Sequence, residues 1–91
     1  MAKTIQLRVV TNEGQAIADE AVSIRAPGGL GYLGILYNHA PLVTTIRAGQ
    51  LTWRRPTGEI RSTRIGDGLL EVARNQCTVL TTAVSEALSS T

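Results

Sequence analysis

The feature that most constrains the fold of this chain is an alternation of apolar and polar residues that recurs along nearly its whole length. In residues 4–10, for example, Ile5, Leu7 and Val9 alternate with polar side chains. A period of two residues is typical of a β-strand that buries one face and exposes the other. Similar short segments predict further strands at residues 16–18, 21–26, 32–36, 42–46, 51–55, 60–65, 69–73 and 76–81.

Turn-forming residues separate these segments at short intervals. Glycine, proline, asparagine and aspartate recur at residues 11–14, 27–29, 38–41, 56–59 and 66–68. About nine or ten short strands separated by turns are typical of an all-β sandwich or barrel. We therefore expect one β-domain over residues 1–82 and a short tail over residues 83–91. The tail forms at most a short, frayed helix, because an isolated helix of fewer than about 12 residues is marginal in water.

Composition and charge exclude several classes of function. Nine basic and seven acidic residues give a net charge of +2, which is too small to indicate a nucleic-acid binder. No segment approaches the roughly 20 apolar residues that a membrane span requires, and the chain does not start like a signal peptide. The single cysteine, Cys77, has no partner for an internal disulfide. We expect a soluble domain that does not insert into a membrane.

One motif resembles a cofactor site but lacks the required flanks. Residues 29–34 read Gly-Leu-Gly-Tyr-Leu-Gly and match the dinucleotide fingerprint G-x-G-x-x-G. That fingerprint works only where the last glycine opens a helix and an acidic residue follows about 20 positions later. Here turn residues and the β-branched run at 42–46 follow, and the next acidic residue is Glu59. We interpret the match as accidental and predict no cofactor.

Candidate catalytic residues are few. A nucleophilic enzyme needs a base beside its nucleophile and a group that orients the base, but His39 is the only histidine and lies in a loop. Cys77 falls within a strand pattern, where a small buried hydrophobe is the ordinary interpretation. These two residues cannot assemble a zinc site from its usual ligands. The adjacent carboxylates Asp19 and Glu20 project in different directions, and we expect them to solubilise a turn.

Arginines flank a predicted hairpin loop at residues 56–59. If the two strands pair about residues 57 and 58, Arg54 lies opposite Arg61. A solvated hairpin tip is the ordinary interpretation of this cluster. The alternative is a free-standing module that binds an anionic ligand or a protein partner. The arginines that would serve such a module are Arg54, Arg55, Arg61 and Arg64.

The glycine-rich region also carries a family resemblance. Residues 31–46 read Gly-Tyr-Leu-Gly-Ile-Leu-Tyr-Asn-His-Ala-Pro-Leu-Val-Thr-Thr-Ile, and residues 68–72 read Gly-Leu-Leu-Glu-Val. In these motifs the chain resembles the epsilon subunit of F-type ATP synthases over essentially its whole length. The resemblance implies a ten-stranded antiparallel β-sandwich of two sheets. It also implies a rotor subunit that joins the gamma subunit to the membrane rotor ring, couples ion transport to ATP synthesis and has no catalytic site of its own.

The resemblance further implies contact residues and a location. A position often polar or acidic in the family is occupied by Tyr32, which implies a more apolar or stacked ring contact. Family members usually continue into a C-terminal helical hairpin that inhibits ATP hydrolysis, and we expect this arm to be absent because only eleven residues follow Leu80. The implied location is the cytoplasmic face of a bacterial inner membrane, as a peripheral protein. The implied ring contacts are Gly29, Leu30, Gly31 and Tyr32, and the implied gamma contacts are Thr11, His39 and Thr44.

Overall fold

The computed structural model describes residues 3–85 and the backbone of residues 88–90. Ten strands and no helix are found among these residues, so the predicted all-β class is confirmed. The strands are β1 (Ile5–Thr11), β2 (Gly14–Ala21), β3 (Ser23–Gly28), β4 (Gly31–Leu36), β5 (Leu42–Ile46), β6 (Gly49–Arg54), β7 (Ile60–Ile65), β8 (Gly68–Ala73), β9 (Gln76–Thr81) and β10 (Leu88–Ser90).

The strands form one continuous sheet that curls around a single core. Its order is β10-β7-β6-β3-β5-β8-β9-β1-β2, and β4 pairs with β3 beside this path. One half of the sheet contains β4, β6, β7 and β10, and the other half contains β1, β2, β5, β8 and β9. The prediction of two separate sheets is therefore wrong in detail, because β3 pairs with strands of both halves. Its first residues pair with β6, whereas Gly28 pairs with Ile46 of β5. A Cβ at Gly28 would lie 2.7 Å from the carbonyl oxygen of Gly31, so glycine is required where β3 enters its turn with β4.

One described pair of strands departs from the predicted antiparallel arrangement. Strands β1 and β9 run in parallel, with Gln6 opposite Gln76 and Val10 opposite Leu80. The physical reason is that the two strands lie far apart in sequence. No hairpin joins them and forces them to run in opposite directions.

The C-terminal segment, for which the sequence predicted at most a short, frayed helix, extends the sheet. Residues 88–90 pair with residues 60–62 of β7 in antiparallel register, and Val84 forms a bridge with Ile65. The edge of β7 offers backbone hydrogen bonds to residues 88–90, which a marginal helix in water cannot match. Residues 86, 87 and 91 of the predicted tail lie outside the described residues.

The core consists of inward-facing side chains from both halves of the sheet. Trp53 is its largest fully buried member and is 1% exposed. Ile5, Leu7 and Val9 all face the core, as their alternation in the sequence predicts. The other fully buried side chains of large volume are Ile35, Leu51, Leu70, Val72, Cys77 and Val79.

The connections between strands lie at two opposite ends of the domain. We call the end with the turns at 12–13, 29–30, 47–48 and 66–67 the lower end. We call the end with the bend at 37–41 and the turns at 55–59 and 74–75 the upper end. This arrangement follows because each of the nine strands from β1 to β9 runs from one end of the domain to the other.

Candidate docking surfaces

The turn between β3 and β4 at the lower end carries three of the predicted ring contacts. Leu30 is fully exposed at its tip, whereas Gly31 has a φ of 133°, which residues with side chains rarely adopt. The amide of Gly29 donates a hydrogen bond of 3.2 Å to the carbonyl oxygen of Thr45. The turn is thereby attached to β5 and presents one large apolar side chain to solvent.

Tyr32, the fourth predicted ring contact, lies on the outer surface of the sheet and not at the tip of the turn. Its backbone lies in β4 opposite Pro27. Its hydroxyl oxygen accepts a hydrogen bond of 3.4 Å from the amide of Gln50. The guanidinium carbon of Arg25 lies 4.5 Å from the centre of the Tyr32 ring, which is a cation–π contact. Tyr32 is therefore close to the tip in sequence, but its side chain lies over β3 and is held there by Arg25 and Gln50.

The three predicted gamma contacts are spread along the domain. Thr11 lies at the lower end, where its hydroxyl oxygen accepts a hydrogen bond of 3.1 Å from the amide of Glu13. His39 is half-buried at the upper end, with its Nδ1 2.7 Å from the carbonyl oxygen of Ala40. Thr44 lies half-buried in the middle of β5. The structure thus places Thr11 and His39 at opposite ends, with Thr44 between them.

An apolar surface on β5, β8 and β9 was not among the predicted sites. Val43, Leu69 and Leu80 are 69%, 46% and 48% exposed, and we call this surface the apolar face. Leu69 lies directly opposite Leu80 across the two strands. The three side chains line a groove of 220 Å³ together with Glu71 and Thr78. Contiguous exposed apolar surface of this kind typically marks a contact with another protein.

The sequence does contain a signal for the apolar face. Each of its three residues belongs to a pair of consecutive apolar residues within a strand. In such a pair one residue faces the core, so the other must face outward. The pairs are Leu42-Val43, Leu69-Leu70 and Val79-Leu80, and each includes one residue of the apolar face.

The other half of the sheet presents a surface of different chemistry. Strands β3, β6 and β7 contain arginines, and neither they nor β4 contain aspartate or glutamate. Arg25, Arg54 and Arg64 are exposed on the outer side of these strands, and we call this surface the basic face. A groove of 360 Å³ runs over it between Leu36, Tyr32 and Arg54. Neither Arg25 nor Arg54 forms an ion pair within the part of the chain that the structure describes.

A cluster of charges, which we call the clasp, connects β2 to the β6–β7 hairpin. The Nε atom of Arg55 lies 3.1 Å from the carboxylate of Asp19, and its terminal nitrogen lies 3.0 Å from Glu59. Arg61 binds the other oxygen of Glu59 at 3.2 Å. The indole of Trp53 donates a hydrogen bond of 2.9 Å to Asp19. The expectation that Asp19 only solubilises a turn is therefore wrong.

The surroundings of Asp19 change the pKa of its carboxyl group. Burial raises this pKa, but the hydrogen bonds from Trp53 and from the amide of Glu20, together with the charge of Arg55, outweigh that effect. The net result is a pKa below the ordinary value of 3.8. Asp19 is consequently ionised in the folded protein at neutral pH.

The clasp divides the arginines that were predicted as an alternative anion site. Arg55 and Arg61 are neutralised by Asp19 and Glu59. The remaining two, Arg54 and Arg64, lie on the basic face, and Arg25, which the prediction omitted, lies beside them. A site for an external anion on this surface would therefore use a different set of arginines from the predicted one.

The remaining candidate residues lie in ordinary structural environments. Cys77 is 0% exposed, and burial raises the pKa of its thiol to about 12, so the reactive thiolate is not formed at neutral pH. Gly34 of the dinucleotide-like motif lies within β4, and strand β5 follows in place of a helix. Within residues 3–85, no cluster of three or more histidine, cysteine or acidic side chains could hold a metal ion. No helix long and apolar enough to cross a bilayer occurs among the described residues.

Comparison with sequences of known proteins finds a match over most of the chain. The model of the ATP synthase delta/epsilon chain β-sandwich domain matches residues 4–87. The ATP synthase epsilon chain of Desulfitobacterium hafniense (strain DSM 10664 / DCB-2) is 40% identical over 80 residues, which are 88% of this chain and 60% of that protein. The epsilon chain of Acidithiobacillus ferridurans is 40% identical over 87 residues, 96% of this chain and 61% of that protein. The chain thus spans about 60% of the length of these relatives.

Comparison with solved structures finds the same fold. A chain in the Euglena gracilis mitochondrial ATP synthase (OSCP/F1/c-ring, rotational state 1) aligns with a TM-score of 0.82 and 19% identity, covering 98% of this chain and 55% of that one. A chain in the central stalk/c-ring structure of the Tetrahymena thermophila mitochondrial ATP synthase aligns with a TM-score of 0.73 and 15% identity, covering 93% and 67%. The extended sequence match and the shared fold together show that this chain belongs to the β-sandwich domain family of ATP synthase delta and epsilon chains.

Proposed function

We propose that this chain is a central-stalk subunit of an F-type ATP synthase that joins the gamma subunit to the membrane rotor ring. The observation that carries the proposal is the family match over residues 4–87. Two exposed apolar surfaces, the tip at Leu30 and the apolar face, support it, because a subunit that connects two partners needs a contact surface for each. In this role the chain transmits rotation between ion transport and ATP synthesis and carries out no reaction itself.

The ring contact is assigned to the lower turn, Gly29, Leu30, Gly31 and Tyr32. Leu30 supplies an apolar side chain that projects from the domain. The hydrogen bond from Gly29 to Thr45 holds the turn against β5, so docking costs little conformational entropy. A stiff contact of this kind suits a part that transmits torque.

The gamma contact is assigned to the half of the sheet that carries the apolar face. An elongated partner lying along this half would extend from Thr11 at the lower end, past the backbone of Thr44, to His39 at the upper end. The side chain of Thr44 lies on the same side of the sheet as the buried Leu70, so its contact would be made through the main chain. The exposed side chains of Val43, Leu69 and Leu80 would provide its apolar contact. The association would place the chain, as a peripheral protein, on the cytoplasmic face of a bacterial membrane.

Reconstitution with the gamma subunit and the rotor ring of one bacterial enzyme tests this function. The unmodified chain should join both partners, and Leu30→Glu should abolish retention by the ring while leaving gamma binding intact. Asn12→Glu is the matched control, because it adds the same charge to another exposed turn at the lower end. A chain that binds neither gamma nor the ring would contradict the proposal.

The alternative function is a free-standing module that binds an anionic ligand or a protein partner. It is favoured by one observation, the lack of ion pairs at Arg25 and Arg54 within the described residues. Such a module would bind its ligand without gamma or the ring. Failure to co-assemble with gamma, together with binding of an anion at Arg25 and Arg54, would favour this alternative.

A further inference from the structure

Strand β4 has an unprotected edge. Within the described residues it pairs with β3 on one side and with no strand on the other. Proteins usually protect such an edge with a lysine, a proline, a bulge or an inward charge. Strand β4 reads Gly-Tyr-Leu-Gly-Ile-Leu and contains none of these residues, and its register with β3 is continuous. Its outward residues Tyr32 and Leu36 are 50% and 62% exposed.

The register shows which backbone groups of β4 point toward the free edge. Gly28 and Gly31 close a two-residue turn, and such a closing pair is hydrogen-bonded in an antiparallel hairpin. Hydrogen-bonded and non-hydrogen-bonded pairs alternate from there along the strands, so the backbone groups of Tyr32, Gly34 and Leu36 point away from β3. The carbonyl oxygen of Leu36 already accepts a hydrogen bond of 3.1 Å from the amide of His39. The groups that the edge offers to another strand are therefore the amide and carbonyl of Tyr32 and of Gly34 and the amide of Leu36.

The side-chain surface next to this edge has a gap at its centre. Gly34 lies between Tyr32 and Leu36 on the outer side of β4, and no atom lies within 4 Å of the position that a Cβ would take. Gly34 is directly opposite Arg25 of β3. The side chain of an added residue opposite Gly34 would therefore pass over Gly34 and reach the guanidinium of Arg25 where it lies on the ring of Tyr32.

We propose that the free edge of β4 binds an extended segment of a partner protein as an added β-strand. The segment carries an acidic residue opposite Gly34 and apolar residues two positions to either side, next to Tyr32 and Leu36. Two strand spacings separate the acidic residue from Arg25, about 10 Å between Cα atoms, which glutamate and arginine side chains span together. The absence of carboxylates from β3, β4, β6 and β7 makes the surface complementary to an acidic segment.

Two features favour an extended segment over a lipid headgroup or free phosphate. The strand edge offers donors and acceptors at strand spacing, which another backbone satisfies best. The apolar side chains flank the charge at positions that match alternate residues of a strand. Because the pattern apolar-x-acidic-x-apolar is symmetric, the segment fits in either chain direction. This binding site is independent of the assignment to the rotor.

Titration of the isotope-labelled chain with a synthetic peptide tests the proposal. The probe is an acetylated and amidated Thr-Ile-Thr-Glu-Thr-Ile-Thr, and the comparison peptide has glutamine in place of glutamate. We expect the amide signals of Tyr32, Gly34 and Leu36 to shift and their hydrogen exchange to slow. The glutamate peptide should bind about fivefold more tightly than the glutamine peptide, as a cross-strand charge pair implies.

Matched variants test the part played by Arg25. Arg25→Gln should remove the difference between the two peptides, whereas Arg54→Gln, with the same loss of charge on the same face, should leave it unchanged. Gly34→Val should also remove it by filling the gap, and valine fits because the space above Gly34 is open.

Several results would overturn the proposal. One is a spectrum that does not change at millimolar peptide concentration, and another is equal binding of the two peptides by the unmodified chain. A third is an identical set of shifts produced by inorganic phosphate or by vesicles of phosphatidylglycerol, which would assign the surface to a simple anion.

Discussion

The two outer surfaces of this small domain differ in chemistry although they cover one core. The apolar face exposes Val43, Leu69 and Leu80 and has one carboxylate, Glu71, beside its groove. The basic face exposes arginines on strands that contain no carboxylate. Because inward positions are apolar on both sides, the core leaves the outward positions free to differ. The two faces therefore differ in the chemistry that they offer to a partner, one apolar and the other basic.

The largest expected effect is at Gly68, which supports the apolar face. A Cβ at this position would overlap the backbone carbonyl oxygen of Leu80, which cannot move without separating β8 from β9. We expect Gly68→Ala to lower the free energy of unfolding by about 3 kcal/mol, as overpacking against backbone does. Denaturation by urea measures the change, and a variant as stable as the parent would contradict the expectation.

The next effect concerns the clasp, which joins the two halves of the sheet. Asp19→Ala leaves the buried indole N–H of Trp53 and the guanidinium of Arg55 without their carboxylate. We expect a loss of about 2 kcal/mol in the free energy of unfolding, the cost of such an unpaired group. Glu20→Ala is the matched control, because its side chain is exposed, and it should change stability by less than about 0.5 kcal/mol.

The pH dependence of stability sharpens the same prediction. The pKa of Asp19 in the folded state is lower than the ordinary value of 3.8, so folding favours the ionised carboxylate. The stability that this group contributes is complete above about pH 4 and is lost as the pH falls through the folded-state pKa. Asp19→Asn should therefore approach the parent in stability as the pH falls below 4. A difference that stays constant down to pH 2 would show that this pKa is not lowered.

A smaller effect distinguishes the two faces in binding. Leu80→Ser removes an apolar side chain from the apolar face, whereas Leu36→Ser removes one of the same size from the basic face. We expect the first variant to weaken gamma binding about tenfold and the second to leave it unchanged, as loss of a central interface residue implies. Surface plasmon resonance with immobilised gamma measures both. Equal losses would show that the partner does not distinguish the faces.

The smallest effect has the opposite sign. Gly34→Ala places a methyl group in open space on β4, in contrast to the overlap at Gly68. We expect it to raise the free energy of unfolding by about 0.5 kcal/mol, because alanine loses less conformational freedom than glycine on folding. Thermal unfolding monitored by circular dichroism measures this change. A marked decrease in Tm would show that the backbone at this position requires glycine.

The sequence predicted most strands because alternation records which side of a strand is buried. It did not predict features that depend on pairing between distant segments. The parallel pairing of β1 with β9 and the position of β3 in both halves depend on which edges meet, and no local pattern encodes this. The predicted pairing of Arg54 with Arg61 was wrong by one residue, since Arg61 lies opposite Trp53. With this register the side chain of Arg61 projects on the same side of the sheet as Trp53, and there it joins the clasp.

The candidate sites show the same dependence on the fold. The motif at residues 31–46 indicated the family, and Leu30, a ring contact that the resemblance implies, is exposed at the tip of its turn. The apolar face was overlooked because consecutive apolar residues also occur in fully buried strands, so the pairs at Leu69 and Leu80 were ambiguous until the pairing was known. The role of Asp19 depends on residues more than thirty positions away, which only the fold brings together.

The position of β3 in both halves has a mechanical consequence. Near its start β3 is bonded to β6, and at its lower end the carbonyl oxygen of Pro27 accepts a hydrogen bond of 2.8 Å from Arg47, beside the bond from Gly29 to Thr45. A sideways force on the tip at Leu30 is therefore shared by two sets of hydrogen bonds that lie on different parts of the same strand. The domain should resist such a force as one stiff body, since neither half can slide past the other while β3 stays bonded to both.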